Sequence, residues 1–134
     1  MNRRAFLIAN LLAATLPVMV SGPARAASPD LTLIYVGGWD CPPCTQWKNT
    51  QKARWLASAE YKKVTWVEVE SPHLKDAYKE RYWPAELRPV LAELPRKTGT
   101  PRFLIVRDGK VLSNEFGTGR WTATMADLKK QLGE

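Results

Sequence analysis

The hydrophobic positions of the chain change their period from block to block, and each block predicts an element. Residues 31–36, LTLIYV, are apolar and β-branched and stop at Gly37-Gly38, which predicts a buried strand. From Cys44 to about Ala59 no Gly or Pro interrupts, and Trp47, Gln51 and Trp55 recur at helical spacing. Pro42-Pro43 suit the opening of that helix, because first-turn amides lack intrahelical partners; its tryptophans are expected to face the core. VTWVEVE, residues 64–70, alternates as a second strand with Val67 and Val69 on one face.

Residues 72–94 read as helical but broken, since Pro84 and Pro89 each remove an N–H donor and clash with the preceding turn. Within them YKERYW, residues 78–83, reads as an exposed aromatic and basic stretch. RFLIVRDGKVLS predicts a hairpin, with strands at Phe103–Val106 and Lys110–Ser113 around Asp108-Gly109. A last helix from about Thr122 presents Met125, Leu128 and Leu132 on one face and ends at Gly133. The order is strand, helix, strand, helix, hairpin, helix, with no internal repeat.

Ahead of these blocks lies an acid-free apolar run from Ala5 to Val20, preceded by Arg3-Arg4 and followed by Ala24-Arg25-Ala26. That is the order of a bacterial export signal, residues 1–26, leaving 27–134 as a single domain. The run is short of the ~20 apolar residues a membrane span needs, and Pro17 lies within it. Arg3-Arg4-Ala5-Phe6-Leu7 fits a twin-arginine route as well as the general secretory one. Both place the protein in the periplasm.

Charge changes the picture little. The whole chain carries +7, and Arg3, Arg4 and Arg25 leave with the signal without any acid. What remains is dispersed, with Lys62-Lys63, Arg96-Lys97 and Lys129-Lys130 in different segments, whereas a nucleic-acid footprint clusters on one face. No nucleic-acid partner is expected.

The chemistry concentrates in Cys41 and Cys44, the only cysteines, which export would place where disulfides persist. Three readings are open. A structural staple would close so short a loop that it contributes only roughly 2 kcal/mol. A metal site would need more ligands than two thiolates; His73 is the one other soft donor, and Cys41, Cys44 and His73 could hold Cu(I). A redox pair matches the placement best. A helix N-terminus stabilises a thiolate, so Cys41 is expected to be the exposed attacker and Cys44, one turn in, the shielded resolver. Pro42 and Pro43 stiffen the loop and remove two amide donors, which argues against a very strong oxidant.

Trp39-Asp40-Cys41-Pro42-Pro43-Cys44 at a strand-to-helix junction, Gly99-Thr100-Pro101 before an apolar strand, and Asp108-Gly109-Lys110 in its hairpin resemble the thioredoxin superfamily, most nearly its exported bacterial members. The resemblance covers residues 30–134 and is weakest in the middle segment. It implies a thioredoxin-like α/β fold, a central mixed sheet flanked by helices, here with an extended helical segment in the middle. It implies a thiol-disulfide oxidoreductase whose Cys41–Cys44 disulfide is its redox group, with no cofactor or metal besides. It also implies a cis bond before Pro101 and a substrate-binding surface of Trp39, Thr100 and Pro101. The partners implied are protein disulfides or dithiols and a membrane-borne dithiol donor, the mature form being soluble and monomeric.

Two positions depart from the superfamily's pattern. Tyr35 stands where the family carries a buried acid, and Trp66 where it carries the partner lysine. A buried carboxylate can take the proton of the resolving thiol, and a tyrosine near neutral pH is a poor substitute. The proton of Cys44 is then expected to leave through water or another group, of which Glu68 is the candidate in the sequence.

Overall fold

Strand β1 (Leu31–Gly38) is one of the two inner strands of a four-stranded sheet. The chain is described by a computed structural model over residues 30–134, so the expected export signal and its cleavage point lie outside the described residues. β2 (Thr65–Ser71) runs parallel to β1, while β3 (Arg102–Arg107) is antiparallel to β1 and β4 (Lys110–Phe116) antiparallel to β3. The sheet is therefore mixed, as expected. β1 is bonded along both edges and covered on both faces, which is why its residues other than Thr32 are buried and its sequence runs apolar without alternation.

Alternate residues of the strands feed two cores. On one face Leu31, Leu33, Tyr35, Phe103 and Ile105 pack with Trp47, Trp55, Trp121 and Leu128. On the other, Ile34, Val36, Val69, Leu104 and Val106 pack with Trp83, Leu87, Val90, Leu91 and Leu94. Both helical tryptophans face the core as predicted, and Val69 is buried with Val67 packed beside it.

The helix after the cysteines is one continuous run in three parts: α1 (Pro42–Trp47), a π-helical turn (Lys48–Lys52) and α2 (Ala53–Leu56). It stops short of Ala59 because Ser58 turns back on it. The Ser58 amide and hydroxyl both donate to the Trp55 carbonyl, and the Tyr61 amide donates to that hydroxyl.

The middle segment departs most from expectation. Instead of a broken α-helix it forms single 3-10 turns at Leu74–Asp76, Glu80–Tyr82 and Ala85–Leu87, followed by α3 (Arg88–Glu93), with Pro89 in its first turn. Of YKERYW the charged residues Lys79, Glu80 and Arg81 are exposed as expected, but the aromatic ones are not: Tyr78 and Tyr82 are half-buried. Trp83 is buried in the second core, and its indole N–H donates to the Ala77 carbonyl at 2.8 Å.

In the hairpin, Asp108 and Gly109 both take positive φ, 50° and 77°, as a two-residue type I′ turn requires. α4 (Trp121–Leu132) begins one residue earlier than predicted, buries Trp121, Thr124 and Leu128, and ends at Gly133 in the left-handed conformation.

Candidate active site

Cys41 is the N-cap of α1. Its backbone is extended (φ −108°, ψ 101°), and its Sγ accepts the Cys44 amide at 3.2 Å. Pro42 and Pro43 donate nothing, so Cys44 supplies the first amide of the turn. Cys41 and Cys44 are joined as a disulfide with their Cα atoms 5.2 Å apart. From the opposite side the Thr100 hydroxyl donates to the same Cys41 Sγ at 3.2 Å. The Thr100–Pro101 peptide bond is cis. The structure thus brings Cys41, Cys44, Thr100 and Pro101 together, with Pro42 and Pro43 exposed in the first turn of α1 and Trp39, 68% exposed, ahead of it.

One expectation is corrected. Cys41 is not exposed in this disulfide state: it is 2% accessible against 0% for Cys44. The capping conformation turns its sulfur inward, between the Cys44 amide and the Thr100 hydroxyl, and both cysteines join the first core cluster.

Three contacts hold the loop that no motif announces. The Trp39 amide donates to the Ser71 carbonyl, and the Asp40 carboxylate accepts the Leu74 amide at 2.7 Å. At the other end the Thr118 hydroxyl donates to the Pro43 carbonyl at 2.7 Å. Asp40, the residue inserted between tryptophan and cysteine, therefore ties the loop to the turn after β2. Accepting the Leu74 amide holds its carboxyl below the ordinary aspartate value, and His73, with Nδ1 3.5 Å from Asp40 Oδ2, adds to the effect. His73 is thus engaged with Asp40. Among the described residues no three His, Cys, Asp or Glu side chains gather as metal ligands, so the Cys41, Cys44 and His73 set is not assembled.

Behind the disulfide the core is aromatic. Tyr35 stacks on Trp47 with ring centroids 4.8 Å apart, and Trp121 meets Trp47 at 5.1 Å and Phe103 at 4.9 Å. Such pairs add about 0.5–1.5 kcal/mol each beyond area burial. Tyr35 is fully buried, and its hydroxyl lies where a Cβ at Gly37 would come within 2.2 Å, so only glycine fits there. That hydroxyl has no hydrogen-bond partner. Burial above all, then the charge of the nearby Glu70 carboxylate, pushes the Tyr35 phenol far above its usual range.

Charge sits at the flank instead. Lys48 pairs with Glu70 and Lys52 with Glu68, each joining the π-helical turn to β2. Glu68 is therefore committed to Lys52, and Glu70 is the carboxylate that faces Tyr35 most strongly. Trp66 packs against the first core in the place where the resemblance implies a lysine.

No protein-family model matches the chain, and no curated protein does. Solved structures do match. The periplasmic thioredoxin SoxS from Paracoccus pantotrophus aligns over 76% of this chain and 98% of its own, at 19% identity and a TM-score of 0.55. The germline-specific thioredoxin Deadhead from Drosophila melanogaster aligns over 77% of this chain and 85% of its own (17% identity, TM-score 0.51). Thioredoxin f2 from Chlamydomonas reinhardtii aligns over 79% and 82% (16% identity, TM-score 0.51). Together with the mixed sheet and the disulfide at the first strand-to-helix junction, these likenesses establish that residues 30–134 adopt a thioredoxin-like α/β fold.

Proposed function

We propose that this protein is an exported thiol-disulfide oxidoreductase that reduces protein disulfides. The observation that carries the reading is the seating of Cys41 Sγ. It sits at a helix start, accepts one backbone amide and one hydroxyl, and is bonded to a second cysteine one turn further in. Donors aimed at a sulfur stabilise its thiolate, the species that attacks disulfides.

In the cycle the Cys41 thiolate attacks one sulfur of a substrate disulfide and expels the other as a thiolate. Cys44 then attacks Cys41 Sγ, and the substrate's second sulfur departs. The substrate gains two electrons, and the Cys41–Cys44 disulfide is left behind as the redox group, with no further cofactor or metal. Trp39, Thr100 and Pro101 form the surface against which the substrate chain lies. A dithiol donor, membrane-borne in an exported setting, returns the pair to its reduced form. The leader-like residues 1–26 support the periplasmic setting, and SoxS is itself a periplasmic thioredoxin. No helix among the described residues is long and apolar enough to cross a membrane. The mature domain acts as a soluble monomer, and the 72–95 segment bordering the loop helps select the partner.

Trapping tests the reading. A Cys44→Ser variant, reduced and exposed to a periplasmic extract or to disulfide-bonded insulin, accumulates mixed disulfides through Cys41, identified by mass spectrometry. Absence of any Cys41 adduct under conditions that trap a control thioredoxin refutes it.

A further inference from the structure

A cavity of about 330 Å³ opens beside the cis-proline turn, lined by Arg96, Thr98, Gly99, Arg102, Asn114 and Phe116. The proposed cycle makes no use of it. Arg102 directly follows Pro101 and is only 5% exposed. Its two terminal nitrogens donate to the Arg96 and Thr98 carbonyls, and the Tyr78 ring lies 5.3 Å from its guanidinium carbon. Nε is buried with no hydrogen-bond partner. Among the described residues no carboxylate lies within ion-pair distance of it. Carbonyls and a ring face supply partial negative charge, but a full positive charge is left buried without a counter-ion, which proteins ordinarily avoid.

The surroundings repeat the imbalance. Arg96 and Lys97 are exposed on the same loop, and Lys75 faces a second depression on its other side. Among the described residues none of the three is in an ion pair, and three acids of the neighbouring segments are committed elsewhere: Asp40 to Leu74 and His73, Asp76 to Lys79, Glu115 to Arg120. Phe116, 57% exposed, adds an apolar wall; its ring lies so close to Gly99 (φ +90°) that a Cβ there would meet it at 2.6 Å.

We infer that this cavity receives a carboxylate side chain of the substrate, so that the protein selects disulfides flanked by Asp or Glu. The identity of the occupant rests on the oxidoreductase reading. Thr100, whose hydroxyl reaches Cys41 Sγ, lies between Gly99 and Arg102 in the chain, both of which line the cavity. Two residues of extended chain span ~7 Å, so an acidic residue about two positions from the substrate cysteine comes over Arg102. Its methylenes lie on Phe116 and its oxygens meet the guanidinium groups of Arg102 and Arg96.

The test uses two extended peptides that differ only in Glu or Gln two positions from a serine standing for the cysteine. Each is titrated into the oxidised protein by calorimetry, with amide shifts recorded by NMR. The Glu peptide is expected to bind about tenfold tighter at low salt and to shift Thr98, Gly99 and Arg102. Arg102→Gln removes the advantage. Arg96→Gln, at the exposed rim, reduces it severalfold and serves even where the buried variant fails to fold. Equal binding of the two peptides, or an advantage that survives both substitutions, overturns the inference. So does sulfate alone shifting these amides while the peptides bind alike, which marks a small-anion site. Peptides with cysteine restored in place of the serine, joined as disulfides and given to the reduced protein, read the other claim separately: no reduction of either, with the Glu preference intact, refutes the oxidoreductase and leaves the carboxylate site standing.

Discussion

Thr100→Val isolates the hydroxyl that touches the sulfur. The substitution keeps the β-branched shape in a position only 8% exposed and deletes one donor 3.2 Å from Cys41 Sγ. A hydrogen bond to a charged acceptor contributes about 1.5–3 kcal/mol, and a bond of this length to sulfur belongs at the low end. Since about 1.4 kcal/mol is a factor of ten, the thiolate fraction on the acid side of the titration falls roughly tenfold. A less stabilised thiolate is also a better nucleophile, by about threefold for a Brønsted slope near 0.45. Alkylation of Cys41 by iodoacetamide in the reduced protein, followed by mass spectrometry from about pH 5 to 10, is therefore slower than in the parent by only about threefold at low pH. At high pH, where both are ionised, the variant becomes the faster of the two. That crossover is the signature of a donor to the thiolate. Superimposable profiles refute the role of Thr100, and a deficit that persists in alkali shows a steric effect instead.

Two further outcomes test neighbouring parts of the site. Tyr35→Phe deletes a buried hydroxyl without a partner and keeps the stack on Trp47, so it should stabilise the domain by about 1 kcal/mol and raise Tm by roughly 4–8 °C. A loss of similar size, read by calorimetry, would mean that the hydroxyl is bonded to Glu70 after all. Asp40 carries a lowered pKa, so its hold on the Leu74 amide is intact above the ordinary value of 3.8 and is lost as pH falls through the lower folded one. The hydrogen-exchange protection factor of Leu74 should therefore drop on acidification below about pH 4, and in Asp40→Ala it should already be low at neutral pH. Protection unchanged down to pH 2 would count against the clamp.

The elements legible in the sequence are those whose own pattern decides them. β1 shows as an uninterrupted apolar run because it is buried on both faces, and the hairpin shows because Asp108-Gly109 suits only a turn with positive φ. The 72–94 segment is not legible in this way. Its prolines predict interruption, but whether the pieces are α or 3-10 turns depends on what they pack against. Trp83 is buried because its indole finds the Ala77 carbonyl, a contact that no local spacing announces. The site divides likewise. Cys41, Cys44, Thr100 and Pro101 stand in short motifs, whereas Asp40 on Leu74, Thr118 on Pro43 and Arg102 on the 96–98 carbonyls join segments far apart in chain or turned back on themselves. The inward turn of Cys41 belongs to the second kind, since Thr100 reaches it from 59 residues away.

The aromatic core changes how the proton of Cys44 has to be handled. A carboxylate behind the disulfide would carry a desolvation cost, and Tyr35 and Trp66 avoid it by filling that volume with rings. The charges remain close by, but at the surface: Lys48 and Glu70 are each about a quarter exposed and neutralise one another. Tyr35 itself is no base, because burial and Glu70 both favour its neutral, protonated form. In the proposed cycle Cys44 attacks Cys41 Sγ in line with the departing substrate sulfur, which leaves on the far side, so the leaving thiolate is not placed to take the Cys44 proton. With Glu70 and Glu68 paired to Lys48 and Lys52 and Tyr35 held neutral, no free buried carboxylate stands behind the pair among the described residues. Resolution in that cycle should therefore speed up with rising pH as Cys44 ionises without a fixed base, and a rate that stays flat from about pH 6 to 9 would count against this reasoning.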